Sequence, residues 1–194
     1  METSEREILF KQFNSLTEIS EEAFEKIFQI AEKRCYTKGQ NVLSEGKVCR
    51  HVLFVMSGYL RTYTNTESKE INTNFTFEGN FAADVKSLSS GAVSAVNIQA
   101  AEPATLYQFN RDLLLELYTS SPEIAAFGRK VLELLFSAAE EHSTLFKINS
   151  PAERYNYLLI QQPEMLQRVS LSQLSSYLGV ARETLSRIRK NKVP

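Results

Sequence analysis

The apolar positions of this chain are spaced as in helices toward both ends and as in short strands between them. Over residues 5–33, Phe10, Phe13, Leu16 and Ile19 recur at every third residue. A second run, Ala23, Phe24, Ile27, Phe28 and Ile30, follows Ser20, whose hydroxyl suits a helix cap. From Arg34 to Tyr107 come short β-rich runs, among them NVLS, HVLFVMS, YLRTYTN, INTNFTF, AVNIQA and TLYQF. Lys38-Gly39-Gln40, Glu45-Gly46-Lys47, Ser57-Gly58, Glu78-Gly79-Asn80 and Ser90-Gly91 punctuate them, with the glycines supplying tight corners or positive φ. Short strands parted by glycine turns predict an all-β sandwich, jelly roll or barrel.

The helical period returns near Arg111-Asp112-Leu113. Ser121-Pro122-Glu123 then opens a long helix over residues 121–148: a capping serine, proline in the first turn, and an acid at the positive end. Along it Ile124, Phe127, Val131, Leu134 and Ala138 alternate spacings of three and four, with Leu135 beside them, His142 at the next step and Leu145 beyond. That is a coiled-coil seam. Either the chain's own β segment or the same helix of a second copy covers it, and a helix this long favours the second copy. Pro151 disfavours helical geometry at Ser150, so Asn149-Ser150-Pro151 marks a hinge, followed by a helix over residues 152–162 and a final helical pair.

A chain of 194 residues that is 43% hydrophobic can bury a core. The polar start METSEREILFKQF and the lack of any apolar run near ~18 residues make the expected location cytoplasmic, with no membrane partner. Cys35 and Cys49 form no CxxC pair and read as reduced core thiols. With two histidines (His51 and His142), two aspartates (Asp84 and Asp112), and no HExxH, GxSxG, Walker or GxGxxG motif, the chain reads as no enzyme, with no metal and no cofactor. Net charge sharpens the picture. Residues 150–194 carry seven basic and three acidic side chains, a net +4, against −5 for the rest, as suits a basic end that meets a polyanion.

The basic end reads LSQLSSYLGVARETLSRIRKN. Leu171, Leu174 and Leu178 stripe one helix, small Ser175 allows close approach, Gly179 permits a turn, Val180 closes the corner, and Leu185 and Ile188 face inward from a second helix: a helix-turn-helix pattern. Arg182, Ser186 and Arg189 share one outer face, and Glu183, Arg187 and Lys190 share the next. Arginine's planar fork fits guanine O6 and N7, and glutamate accepts from cytosine N4. The hydroxyls of Thr184 and Ser186 suit phosphate or base contacts.

ARETLSRI and the glycine turn before it closely resemble the recognition helix of the catabolite activator/FNR (Crp/Fnr) family of bacterial transcription regulators. KGQNVLSEG…HVLFVMSGYLRTY is similar to the start of that family's cyclic-nucleotide-binding β-roll, and residues 121–148 to its dimerisation helix. The resemblance implies that Arg182, Glu183 and Arg187 read a DNA half-site. It also implies an α+β fold: a double-stranded β-helix (jelly-roll) sensor domain with flanking helices over residues 1–119, a dimerisation helix over 120–149, and a helix-turn-helix over 150–194. Partners follow from it: double-stranded DNA, a second copy, a small-molecule effector and, as a possible further one, RNA polymerase. The alternative is a ligand-binding sensor whose DNA head is weak or vestigial.

Two departures from the family pattern stand out. Its cassette holds a cyclic phosphate with a Gly-Glu or Gly-Asp pair and, further on, an arginine. Here the matching positions are Ala83 and Asp84, then Ser94 and Ala95. Losing the cation that faces a buried phosphate costs several kcal/mol, so cyclic AMP is not expected to bind in the usual way, unless Lys86 or Arg61 substitutes. The second departure is a reduced or missing wing, since little chain follows the recognition helix, and the strand before the motif, around residues 168–170, is minimal.

Overall fold

The computed structural model describes the backbone of residues 2–148 and 150–190, and the side chains of 5–146 and 150–190. Element order is α1 (Glu2–Leu16), α2 (Glu21–Gln29), β1 (Ala31–Tyr36), β2 (Asn41–Leu43), β3 (His51–Ser57), β4 (Leu60–Asn65), β5 (Glu70–Thr76), β6 (Phe81–Ala82), α3 (Val85–Ser90), β7 (Asn97–Ala100), β8 (Ala104–Asn110), α4 (Arg111–Ser120), α5 (Pro122–Ile148), α6 (Pro151–Gln161), α7 (Pro163–Arg168), α8 (Leu171–Leu178) and α9 (Arg182–Lys190). The fold is mixed α+β, an eight-strand β-roll with helices and one long helix. Its two sheets have strand orders β1-β8-β3-β6 and β2-β7-β4-β5. Cα proximity divides the chain into two units: Met1–Leu60 with Thr76–Ser137, and Arg61–Phe75 with Ala138–Pro194.

In the first unit, β3 explains why its sequence is apolar without alternation. It pairs antiparallel with β8, Val52 opposite Phe109 and Phe54 opposite Tyr107. Val52 and Phe54 pack into a core shared with α1, α2, α4 and α5, while Leu53 and Val55 pack with Leu60, Ile98, Ala100 and Leu106. Successive side chains alternate faces, and both faces are covered. The central residue of the first core is Phe13, whose ring centroid lies 4.7 Å from that of Phe127, 5.5 Å from Phe54, 5.6 Å from Phe81, 5.7 Å from Phe24 and 6.1 Å from Phe109.

Ser20 caps α2 as its sequence predicts, accepting from the Ala23 N–H; Glu123 on α5 accepts in turn from the Ser20 backbone N–H and Oγ. Helical spacing over residues 5–33 overruns the observed boundary: α2 ends at Gln29, and Ala31, Glu32 and Lys33 pair with Phe109, Gln108 and Tyr107 of β8. Strand pairing there outweighs local pattern, which carries no information about a partner 75 residues away. All five predicted turn glycines have positive φ. At Gly58 the requirement is absolute, since a Cβ would lie 2.4 Å from the Pro103 carbonyl oxygen. Cys49 is buried, but Cys35 is exposed on β1, a correction to the expectation of two core thiols.

The seam expected to face a second copy is also corrected in part. Ile124, Phe127, Val131 and Leu135 lie in the core of the first unit. Helical period marks an apolar face without saying what covers it. The α5 apolar residues left exposed are Leu132, Leu134, Phe136 and Phe146.

In the second unit, Leu145, Tyr155, Leu158, Met165, Leu174, Tyr177, Leu178 and Leu185 are buried. Ser150 is extended and caps α6 in a reciprocal capping box with Glu153, with Pro151 in the first turn. Asn149 of the expected hinge, and the residues after Lys190 on which the wing expectation falls, lie outside the described residues. No strand is formed at 168–170; α7 ends at Arg168 and Ser170 caps α8.

Candidate nucleic-acid interface and effector cassette

Helices α8 and α9 are joined by a tight turn whose geometry follows from its residues. Ser170 accepts from Gln173 N–H at the start of α8. Gly179 ends it in the left-handed conformation, φ 63°, and Val180 N–H donates to the Ser175 carbonyl at 3.0 Å. A Cβ at 179 would lie 2.5 Å from the Phe146 ring. Gly179→Ala is therefore expected to destabilise the chain by about 1–3 kcal/mol, through left-handed strain and ring displacement. A shift in the urea midpoint measures it.

Leu174, Leu178 and Leu185 are fully buried, and Ser175 is buried with its hydroxyl on the Ser172 carbonyl. This leaves Arg182, Glu183, Arg187, Arg189 and Lys190 exposed on α9, with Thr184 and Ser186 half-buried. Among the described residues, none of those five charged side chains makes an ion pair or hydrogen bond within the chain, and the Glu183–Arg187 pair that their spacing allows is not formed. The side of α9 away from the core thus holds four cations and one carboxylate, all available to an external polyanion.

Other cations of the basic end are engaged. Arg154 turns inward: its NH1 donates to the Leu178 carbonyl at 2.7 Å, at the negative end of α8, and its guanidinium lies 4.5 Å from the Phe146 ring centroid. Arg168 pairs with Glu164. Charge counting cannot separate such inward arginines from outward ones.

A second feature of this unit left no sequence signal. The β4–β5 hairpin holds α8: the Asn72 N–H donates to Ser176 Oγ at 3.0 Å, Ser176 Oγ donates to the Glu70 carbonyl at 2.9 Å, and Phe75 and Tyr177 rings meet at 5.5 Å. Arg61, buried, pairs with Glu70 at 2.6 Å and lies over the Tyr63 ring. The contacts use α8 and leave the outer face of α9 free.

His142 sits beside this contact. Its Nε2 is 3.2 Å from the Tyr177 carbonyl, and its ring meets those of Phe146 and Tyr177. Burial holds the imidazole below its ordinary range, against the pull of the Tyr177 carbonyl and with a smaller push from Arg154. The folded chain therefore favours the neutral ring, while the unfolded chain takes a proton near pH 6.5. Stability is full above that pH and falls as pH drops below it, until the folded ring protonates as well. Burial lowers His51 in the same direction. Urea midpoints are expected to decline on acidification below about pH 6.5, less steeply in His142→Gln; an unchanged slope in that variant would refute the assignment.

In the first unit, Ala83 and Asp84 precede α3, while the Ser94 backbone is hydrogen-bonded to the Gly46-Lys47 turn. Asp84 caps that helix, its Oδ1 accepting from the Ser87 N–H at 3.2 Å. Ala83 is half-buried and Ala95 exposed. Ser94 is buried, its Oγ donating to the Val96 carbonyl and accepting from the Val96 N–H. Of the two substitute cations considered, Lys86 is exposed on α3 and Arg61 is committed to Glu70. No group of three or more His, Cys, Asp or Glu suited to a metal occurs among the described residues, and no described helix is long and apolar enough to cross a membrane.

Comparison with known proteins agrees with this architecture. The family model of the cyclic nucleotide-binding domain matches residues 33–121. No curated protein sequence matches the chain. The fold is similar to that of FixK2 from Bradyrhizobium japonicum, at 21% identity and a TM-score of 0.69 over 84% of each chain. It is similar to the c-di-GMP responsive global regulator CLP of Xanthomonas campestris, at 17% identity and a TM-score of 0.70 over 89% of this chain and 91% of that one. It is also similar to a protein from Eubacterium rectale described as a transcriptional regulator of the crp/fnr family, at 18% identity and a TM-score of 0.70 over 93% and 87%.

Proposed function

We propose that this chain is a cytoplasmic, homodimeric transcription regulator of the Crp/Fnr type, with no catalytic activity of its own. Residues 1–119 act as the sensor, 120–149 as the dimerisation helix and 150–194 as the DNA-binding head. The observation that carries this reading is the outer face of α9, where Arg182, Glu183, Arg187, Arg189 and Lys190 are exposed and unpaired within the chain among the described residues. Such a helix enters the major groove, Arg182, Glu183 and Arg187 reaching base edges and Thr184, Ser186, Arg189 and Lys190 completing base or phosphate contacts. Two heads read a palindromic operator with half-sites about one helical turn apart. Exposed Leu132, Leu134 and Phe136 on α5 suit burial against a second copy. RNA polymerase is a further partner consistent with this class.

The cassette argues for an unusual effector. Ala83 and Ala95 supply neither the glycine nor the cation, and Asp84 is engaged in capping α3. Cyclic AMP is therefore expected to leave the thermal midpoint unmoved at millimolar concentration. A clear upward shift would overturn that part.

The deciding experiment is selection of duplex DNA from a random pool by the full chain, followed by binding at several salt concentrations. A recovered palindrome with a steep salt slope supports the reading. A flat salt response and no selected sequence would favour instead a sensor module with a weak head.

A further inference from the structure

Within the first unit a cavity of about 280 Å³ lies on the helical side of the β1-β8-β3-β6 sheet. Phe13, Phe81, Phe109, Leu114, Phe127 and Val131 form its walls. It is separate from the roll interior, where Leu53, Val55 and Ile98 pack, and the cassette residues Ala83, Asp84, Ser94 and Ala95 are not among its lining. Protein interiors hold few voids larger than a water molecule; this pocket is partly open, with Leu115 and Leu132 of its lining exposed. This one is nearly twice the volume of a ~150 Å³ cavity that takes up benzene, which suits about ten to twelve non-hydrogen atoms.

The polar groups lining it are few. Arg111, at the start of α4, makes one side-chain bond, NH1 to Asp112 Oδ1 at 3.0 Å, on a pair whose side chains are 38% and 66% exposed. An ion pair that wet holds little energy, and the guanidinium's remaining N–H groups have no partner among the described residues. Tyr118 lies against Gly128 of α5, where a Cβ would come within 2.5 Å of its hydroxyl, so the glycine makes room for the ring. That hydroxyl has no hydrogen-bond partner among the described residues. Burial pushes its pKa up from the ordinary phenol range, so it remains a proton donor at neutral pH. Ser89 is satisfied by the Lys86 carbonyl.

We propose that this cavity binds a small apolar monocarboxylate of about ten to twelve non-hydrogen atoms, its body among the aromatic walls and Tyr118, and its carboxylate taken by the Arg111 guanidinium. The shared chemistry is an apolar body with one anionic head, and either an aliphatic or an aryl acid supplies it. The site requires no DNA, although Leu132 of its lining also belongs to the α5 face assigned above to a second copy.

The test is calorimetric titration of the full chain with octanoate, 4-phenylbutanoate and neutral octanol. One site per chain is expected for at least one acid, with affinity about tenfold or more above that for octanol. Arg111→Gln should erase that preference while leaving the thermal midpoint of the free protein in place, and Tyr118→Phe should weaken acid binding less. Methyl resonances of the buried lining residues Leu114 and Val131 should shift on saturation, with Leu53 and Ile98 unmoved. Whichever acid binds tells whether the body is aliphatic or aryl. Equal affinity for octanol, an unaffected Arg111→Gln variant, shifts at Leu53 and Ile98 instead, or no saturable binding of either acid at low millimolar concentration would each overturn the proposal.

Discussion

Replacing Arg182 or Arg187 with alanine is expected to cost about 1–3 kcal/mol in binding to the selected operator, up to roughly a hundredfold in affinity, and to relax preference at one base step. Both side chains are exposed on α9, free of internal partners among the described residues. Their removal therefore leaves fold stability within about 0.5 kcal/mol, and the loss is attributable to the interface. Lys190→Ala should behave differently, weakening all duplexes alike and lowering the salt slope by about one. Binding-site selection with each variant separates these outcomes. Equal, sequence-blind losses in all three would remove the base-reading role from Arg182 and Arg187.

Phe13→Ala is expected to destabilise the chain by about 3–5 kcal/mol, a large share of the roughly 5–15 kcal/mol that holds a domain together. Phe13 is 1% exposed and meets the rings of Phe24, Phe54, Phe81, Phe109 and Phe127. It joins α1 to β3, β6, β8, α2 and α5, and its loss enlarges a void that is already there. Urea denaturation followed by circular dichroism gives the number. Phe13→Leu, which keeps most of the volume, should lose much less. A change below about 1 kcal/mol for Phe13→Ala would mean that α1 does not dock on the sheet in solution.

Much of this arrangement was legible in residue order. Ser20, Ser150-Pro151 and Gly179 mark helix ends by chemistry that works locally, and the structure places caps and the turn there. HVLFVMS reads as a strand, and the structure forms β3 there. The roles of Arg154 and Ser176 were not legible. Both sit on helices with no local mark, and their partners lie 24 and more than 100 residues away. Arg111 and Tyr118 were equally silent, since a cavity is defined by what packing leaves unfilled.

By itself the sequence determined most helix starts, the glycine turns and which end is basic, because caps, turns and side-chain periods act over a few residues. Only the tertiary structure decided that Ile124, Phe127 and Val131 serve the chain's own core while Leu132, Leu134 and Phe136 remain exposed, and that the β4–β5 hairpin grips α8. The physical reason is that hydrophobic burial has no direction: an apolar face must be covered, and which surface covers it depends on the shape of the whole fold.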